Sequence, residues 1–75
     1  MYYVFFKYSR DPSVRSRQYR KLKRYLEKQV SCFKVKYLGM VKCVDDFSLR
    51  SIVRYMKRLG IHVYGVSNRE ITEYL

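Results

Sequence analysis

The sequence predicts an α+β domain of four short strands and two long helices, closed by a short terminal helix. Three observations predict this class. Two segments carry apolar residues at the three- and four-residue spacing of an amphipathic helix. The segments around them alternate or are rich in aromatic and branched side chains, as strands are. One proline and three glycines leave little linker, so residues 1–75 are expected to form a single domain with one modest core.

The first strand and the first helix are the clearest elements. Residues 1–9, MYYVFFKYS, predict a strand. A helix is expected from Pro12 to about residue 29, with Asp11 as N-cap, because proline is tolerated in the first helical position. Its predicted apolar stripe consists of Tyr19, Leu22, Tyr25, Leu26 and Val30. Its predicted outer side carries Arg17, Arg20, Lys21, Arg24 and Lys28.

Residues 31–38 and 40–44 predict a hairpin, with Gly39 at positive φ between its strands. The parity of the loop decides which side chains share a face. We expect an odd loop, because it turns all the lysines outward and keeps the apolar residues inside. The outer set is then Lys34, Lys36 and Lys42, and the inner set is Phe33, Val35, Val41 and Cys43. In that register Cys32 and Cys43 point to opposite sides, so two thiols in a reducing compartment are expected instead of a disulfide.

A second helix is expected to begin at Asp45 and Asp46 and to end at Gly60, a C′ glycine. Its predicted apolar stripe is Leu49, Ile52, Val53, Met56 and Leu59. Its predicted outer side is Arg50, Arg54, Lys57 and Arg58. Residues 61–66 predict the fourth strand, and the capping box at residues 67–70 predicts a terminal helix to residue 75.

The element order is therefore β-α-β-β-α-β with a short helix after it. Two such split units with right-handed crossovers give a four-stranded antiparallel sheet with both long helices on one face. This is the ferredoxin-like arrangement, with strand order 4-1-3-2. No internal repeat and no second domain is expected.

The charge of the chain predicts a polyanionic partner. Seventeen Lys and Arg oppose six Asp and Glu, for a formal charge of +11. Such self-repulsion destabilises a compact state unless a partner of opposite charge relieves it, and nucleic acid is the favoured partner. No apolar run approaches a membrane span and no signal peptide is recognised, so a cytoplasmic protein without membrane contact is expected.

Catalysis is not expected. The single histidine, His62, has no second histidine or evident carboxylate partner for a metal site or a triad. Asp45 and Asp46 are explained by helix capping, and no glycine-rich phosphate loop occurs. Two cysteines are too few for a zinc site of their own. We therefore predict a binding protein with no catalytic residues, metal or cofactor.

The face of the predicted sheet that the helices leave open is the first candidate binding surface. Aromatic rings among cations suit single-stranded nucleic acid, because bases stack on rings and phosphates meet cations. The candidate residues are Tyr3, Phe5, Lys7, Lys34, Lys36, Lys42, His62 and Tyr64. A terminal helix or a sheet-to-sheet homodimer would cover this face. Nucleic acid would then bind the outer sides of the helices, through Arg17, Arg20, Lys21, Arg24, Lys28, Arg50, Arg54, Lys57 and Arg58.

In topology, and in the outward Tyr3 and Phe5 of its first strand, the chain resembles the RNA-recognition-motif family. The resemblance implies RNA binding by stacking on the sheet. In that family the third strand supplies further aromatics within a glycine-and-aromatic motif, whereas residues 40–44 here read MVKCV. Phosphate contacts are therefore expected to carry most of the affinity.

Two other classes remain open at this stage. A non-enzymatic interaction module or inhibitor, of the kind that viruses and plasmids encode, would dock on an acidic protein surface. A membrane-surface binder ranks last, because the apolar stripes of both helices are needed for the core.

Overall fold

A computed structural model of the chain describes residues 2–28, 31–34 and 39–67. It is an α+β structure with one four-stranded antiparallel sheet and two helices, which confirms the predicted class. The elements are β1 (Tyr2–Lys7), α1 (Pro12–Glu27), β2 (Cys32–Lys34), β3 (Met40–Cys43), α2 (Asp46–Arg58) and β4 (His62–Ser67). The strands lie in the order β2-β3-β1-β4. The predicted terminal helix lies outside the described residues, apart from Ser67, which ends β4.

Both helices bury their apolar residues against the same face of the sheet, in one cluster. The helices contribute Leu22, Leu49, Ile52 and Met56, and the sheet contributes Val4, Phe6, Val41 and Cys43. Alternation along the strands explains why these residues share a face. The predicted stripe of α2 is thus confirmed. The opposite side of the sheet is called the outer face below.

The helix ends follow the predicted capping. The carboxylate of Asp11 accepts a hydrogen bond from the Ser13 N–H at 3.0 Å, and that of Asp45 accepts one from the Ser48 N–H at 2.7 Å. Hydrogen bonds from the Ser13 side chain and backbone hold the pKa of Asp11 below its ordinary value. Gly60 follows the last turn of α2 with φ +82°, a conformation in which other residues are strained.

α1 differs from its predicted stripe at two positions. Tyr19 is 44% exposed, while Leu22 is fully buried. Gln18, a polar residue that the periodicity does not place inside, is buried as well. Its Oε1 accepts the Ser9 N–H at 2.8 Å, and its Nε2 donates to the Leu59 carbonyl at 3.1 Å. The amide therefore satisfies two backbone groups at once, which offsets the cost of burying it. Val30 lies outside the described residues.

The pairing of β2 with β3 corrects the predicted register. Lys34 pairs with Val41, and Phe33 pairs with Lys42. An even number of residues, 35–40, therefore lies between Lys34 and Val41, so the prediction of an odd loop is wrong. Phe33 points to the outer face beside Lys42, and Lys34 points to the helix side. The positive φ of Gly39, +82°, is confirmed.

The same register makes Cys32 and Cys43 direct partners, and they form a disulfide. The Val44 N–H donates to the Ser31 carbonyl at 2.9 Å. Cys32 and Cys43 are consequently a non-hydrogen-bonded pair, in which side chains of neighbouring strands approach most closely. Both are buried. The expectation of two separate thiols is therefore wrong, and its cause is the wrong face assigned to Cys32.

β1 and β4 pair with an irregularity between Phe5 and Phe6. Phe5 pairs with Gly65 and Phe6 pairs with Val63, so Tyr64 is an extra residue on β4 without a counterpart on β1. This is the arrangement of a β-bulge, which re-aims the side chain of the extra residue.

Candidate nucleic-acid interface

The outer side of α1 is an exposed and nearly unbroken basic surface. Leu22 and Gln18 fix the inner side of the helix, so the residues between them in the sequence point outward. The cations on this side are all exposed: Arg17, Arg20, Lys21, Lys23, Arg24 and Lys28. Glu27 is the only acidic residue in the helix. Within the described part of the chain none of these cations forms an ion pair, and the set is named the α1 basic surface.

Four members of the α1 basic surface converge on a shallow depression of about 150 Å³. They lie on one side of the helix because they are spaced three and four residues apart. They are Arg17, Arg20, Lys21 and Arg24. The Arg20 Nε also donates to the Ser16 carbonyl at 3.4 Å, which leaves its terminal nitrogens free for an anion. Guanidinium groups arranged in this way suit phosphate oxygens.

α2 presents a second, weaker row of cations. Arg50, Arg54, Lys57 and Arg58 are all exposed, as predicted. Arg50 is partly neutralised by Asp46, with 2.9 Å between Nε and the carboxylate. The rings of Tyr25 and Tyr55 stack with their centroids 4.4 Å apart, so the two helices lie side by side. The row on α2 therefore extends the positive surface of the helical side.

The outer face of the sheet is only partly available. Tyr3 points to this face, where it pairs with Lys42, but it is 2% exposed. Met40, next to it, is also buried. Tyr3 therefore offers no free ring for stacking, contrary to its predicted role. The Lys42 Nζ lies 5.9 Å from the centroid of the Tyr3 ring, and Lys42 itself is half-buried.

Lys34 is not on the outer face. Its Nζ lies 4.2 Å from the centroid of the Tyr19 ring and 5.9 Å from that of Tyr8, on the helix side. The prediction that it joins Lys42 is wrong, because the register of β2 turns it the other way. Lys36 lies outside the described residues. Phe33, 44% exposed, occupies the outer-face position instead.

Tyr8 and Tyr19 are in contact beneath Lys34, with ring centroids 6.1 Å apart. The Tyr8 hydroxyl is buried and has no hydrogen-bond partner within the described part of the chain. Burial, with the nearby Tyr19 as a smaller cause, raises the pKa of Tyr8 to about 12. This group therefore stays neutral under physiological conditions.

Aromatic residues remain accessible at the β1–β4 side of the outer face. Tyr64 is 56% exposed. Its ring centroid lies 6.3 Å from that of Phe5 and 6.2 Å from that of His62, and the Lys7 Nζ lies 5.9 Å above the ring. Phe5 is half-buried, while Lys7 and His62 are exposed. The predicted outward orientation of these residues is confirmed.

Tyr64 also lines an open cleft at the end of β1, with a volume of about 370 Å³. The cleft is lined by Phe6, Lys7, Tyr8, Ser9, Arg10, Arg15, Gly39 and Tyr64. Three of these residues are cations and none is acidic. Periodicity along the sequence does not reveal that Arg10 and Arg15 line the same cleft as Tyr64. The fold brings the segment after β1 to the same cleft as the bulge of β4.

Other site types find no support in the described residues. Among them no group of three or more His, Cys, Asp and Glu side chains could hold a metal ion. Nor does the described part contain a helix long and apolar enough to span a bilayer. No protein-family model matches the chain, and comparisons with curated proteins and with solved structures find no significant match.

Proposed function

We propose that this chain is a small nucleic-acid-binding protein of the ferredoxin-like arrangement, with affinity carried mainly by contacts to phosphates. The observation that carries the proposal is the α1 basic surface, whose cations are exposed and have no ion-pair partner within the described residues. Each phosphate that a cation neutralises releases counterions, which supplies binding free energy independent of sequence.

The strand order and the common face of the helices support the ferredoxin-like assignment. The burial of Tyr3 argues against base stacking at the middle of the sheet, the mode that a resemblance to the RNA-recognition motif implies. The helical side is therefore the main proposed contact for the backbone. Arg17, Arg20, Lys21 and Arg24 are its centre, because they converge on one depression.

A salt titration tests the proposal. If these residues contact about four phosphates of a DNA duplex, log K should fall with log salt concentration with a slope of roughly −3 to −4. The variant Arg20→Gln with Arg24→Gln should make the slope shallower by roughly 2. Fluorescence anisotropy of a labelled duplex measures both.

Arg54→Gln with Arg58→Gln is the matched control, because it removes the same charge from exposed positions of the other helix. It should change the slope less than the α1 pair does. A binding constant that does not vary with salt would contradict the electrostatic mechanism. An equal or larger effect of the α2 pair would assign the contact to α2.

A groove between α2 and β4 favours a second candidate, an interaction module that docks on an acidic protein. The groove has a volume of about 400 Å³ and is lined by Asp46, Leu49, Arg50, Val53, Arg54 and Val66. The lining includes three apolar residues and two arginines, and Phe47, next to Asp46 in the sequence, is 80% exposed. Capture of a protein partner that survives nuclease treatment and is lost on Val66→Asp, at an exposed residue of the groove, would support this candidate.

A further inference from the structure

We propose that the cleft at the end of β1 holds one unpaired nucleotide of the bound nucleic acid. Its base would lie against Tyr64, and its phosphate beside Arg10 and Arg15. This inference rests on the proposed function and goes further, because it selects nucleic acids that offer an unpaired nucleotide.

The Tyr64 ring has neighbours and is still accessible. Phe5 lies beside it at 39° and His62 lies nearly parallel to it at 23°. The Lys7 Nζ lies over the ring, 5.9 Å from its centroid, yet Tyr64 is more than half exposed. The bulge at this position turns the side chain independently of the strand ladder. Gly65 leaves room for this packing, because a Cβ there would lie 3.3 Å from the Phe5 ring.

The charges of the cleft suit a phosphate. Lys7, Arg10 and Arg15 line it. The nearest carboxylate in the sequence, Asp11, is occupied by hydrogen bonds from the Ser13 N–H and Oγ at 3.0 and 2.8 Å. The Asp11 carboxylate therefore caps the N-terminus of α1. An anion that enters the cleft meets cations and an aromatic wall.

The cleft selects for an unpaired base by its chemistry. Inside a duplex both faces of a base are covered by neighbouring base pairs, so an aromatic ring cannot stack on them. Single strands, overhangs and bulges expose these faces. The volume of about 370 Å³ falls at the lower end of small-ligand sites, which run from roughly 300 Å³, and so fits one nucleotide better than several.

Arg15 lines the cleft, but it lies on a different side of α1 from the α1 basic surface. It precedes Gln18 by three positions and Leu22 by seven, so it lies on the side of the helix that faces the core, roughly opposite Arg17 and Arg24. From Arg15 to Arg24 the helix advances about 13 Å along its axis, which corresponds to roughly four phosphates along one strand. A strand that contacts both the cleft and the α1 basic surface therefore passes around the start of α1.

The test compares three DNA probes of equal length by anisotropy: a single strand of mixed sequence, the same strand made abasic, and a blunt duplex. Tyr64→Ala should weaken binding of the single strand about 10-fold, within the range of stacking one base. It should leave the abasic strand and the blunt duplex within about 2-fold of wild type. A ribo-oligonucleotide of the same sequence shows whether RNA behaves likewise.

Phe33→Ala is the matched control, because Phe33 is also an exposed aromatic residue of the outer face. It should leave all three affinities unchanged, and Tyr64→Phe should retain wild-type binding. Should Tyr64→Ala unfold, Tyr64→Leu keeps an apolar side chain and lacks the aromatic face. Arg10→Gln should reduce the salt slope for the single strand by about 0.7.

If Tyr64→Ala binds the normal single strand as tightly as wild type does, this inference is wrong. The proposed function would still hold, provided that the wild-type protein binds the duplex. Equal losses on the abasic strand and the normal strand would also overturn this inference, because they would indicate a general effect on charge or folding. Absence of binding to every probe in dilute buffer would overturn the proposed function itself.

Discussion

Gln18 connects the end of β1 to the end of α2, with its Oε1 2.8 Å from the Ser9 nitrogen and its Nε2 3.1 Å from the Leu59 carbonyl oxygen. Removal of this amide leaves a backbone donor and a backbone acceptor without their partners. Ser9 lines the cleft and Leu59 caps α2, so one side chain ties the candidate site to the core.

Gln18→Met should destabilise the fold by about 2 to 4 kcal/mol, because each buried group left unpaired costs about 1 to 3 kcal/mol. Methionine keeps the length of the side chain and removes its hydrogen bonds. Urea unfolding followed by circular dichroism measures the loss. Arg17→Met, at the neighbouring exposed position, should change the free energy of unfolding by less than about 0.5 kcal/mol.

The disulfide should stabilise the folded state by about 3 kcal/mol, because it closes a short loop in the unfolded chain. Cys32 and Cys43 are 11 positions apart. Urea unfolding with and without reductant measures the difference, and the double variant Cys32→Ala with Cys43→Ala should be insensitive to reductant. Titration of two free thiols in denatured, unreduced protein would contradict the bridge.

Gly39→Ala should be more destabilising than Gly60→Ala. Both glycines have φ +82°, so both substitutions carry the strain of a left-handed residue, about 1 to 2 kcal/mol. At Gly39 the new Cβ would also lie 2.8 Å from the Phe6 carbonyl oxygen, whereas at Gly60 its nearest neighbour is the Gln18 Nε2 at 3.5 Å. Thermal unfolding of the two variants gives the comparison. Equal losses would show that backbone strain alone sets the effect.

Alkaline pH should weaken the fold through Tyr8. Its pKa is raised from 10.0 to about 12, so the folded state binds the proton more tightly than the unfolded state. The associated stability is fully present below pH 10.0 and is lost as pH rises towards about 12. Because the ring is only half-buried, the loss should be about 1 kcal/mol.

Tyr8→Phe should remove that component, so its free energy of unfolding should fall less over this interval than that of wild type. At neutral pH the variant should be as stable as wild type or slightly more stable, since no hydrogen-bond partner of the hydroxyl is lost within the described residues. Parallel curves for wild type and Tyr8→Phe would contradict the assignment.

The helices could be predicted from the sequence because their information is local. Caps at Asp11 and Asp45, the glycine at position 60 and the periodic apolar residues of α2 each act within a few residues. The burial of Gln18 could not be predicted in this way, because it depends on the Leu59 carbonyl, 41 positions away in the sequence. A pattern of apolar residues contains no signal for a polar side chain that serves two distant backbone groups.

The faces of β2 could not be predicted, because alternation gives the period of a strand and not its phase. Phe33 appeared to be the inner residue by hydrophobicity, yet Cys32 takes that position and pairs with Cys43. Lys34 is tolerated on the helix side because it is exposed on the edge strand β2, where its cation lies over the Tyr19 ring. The exposed cations of α1 could be predicted from the sequence. The burial of Tyr3 and the presence of Arg10 and Tyr64 in one cleft could not, because both depend on tertiary packing.

The irregular position of Tyr64 also bears on the solubility of the protein. β4 is an edge strand, and a flat edge is a template on which other chains add strands and aggregate. An extra residue in the middle of β4 bends and twists that edge, so an incoming strand cannot keep continuous pairing along it. The distortion that exposes the Tyr64 ring to solvent therefore also discourages self-assembly into fibres.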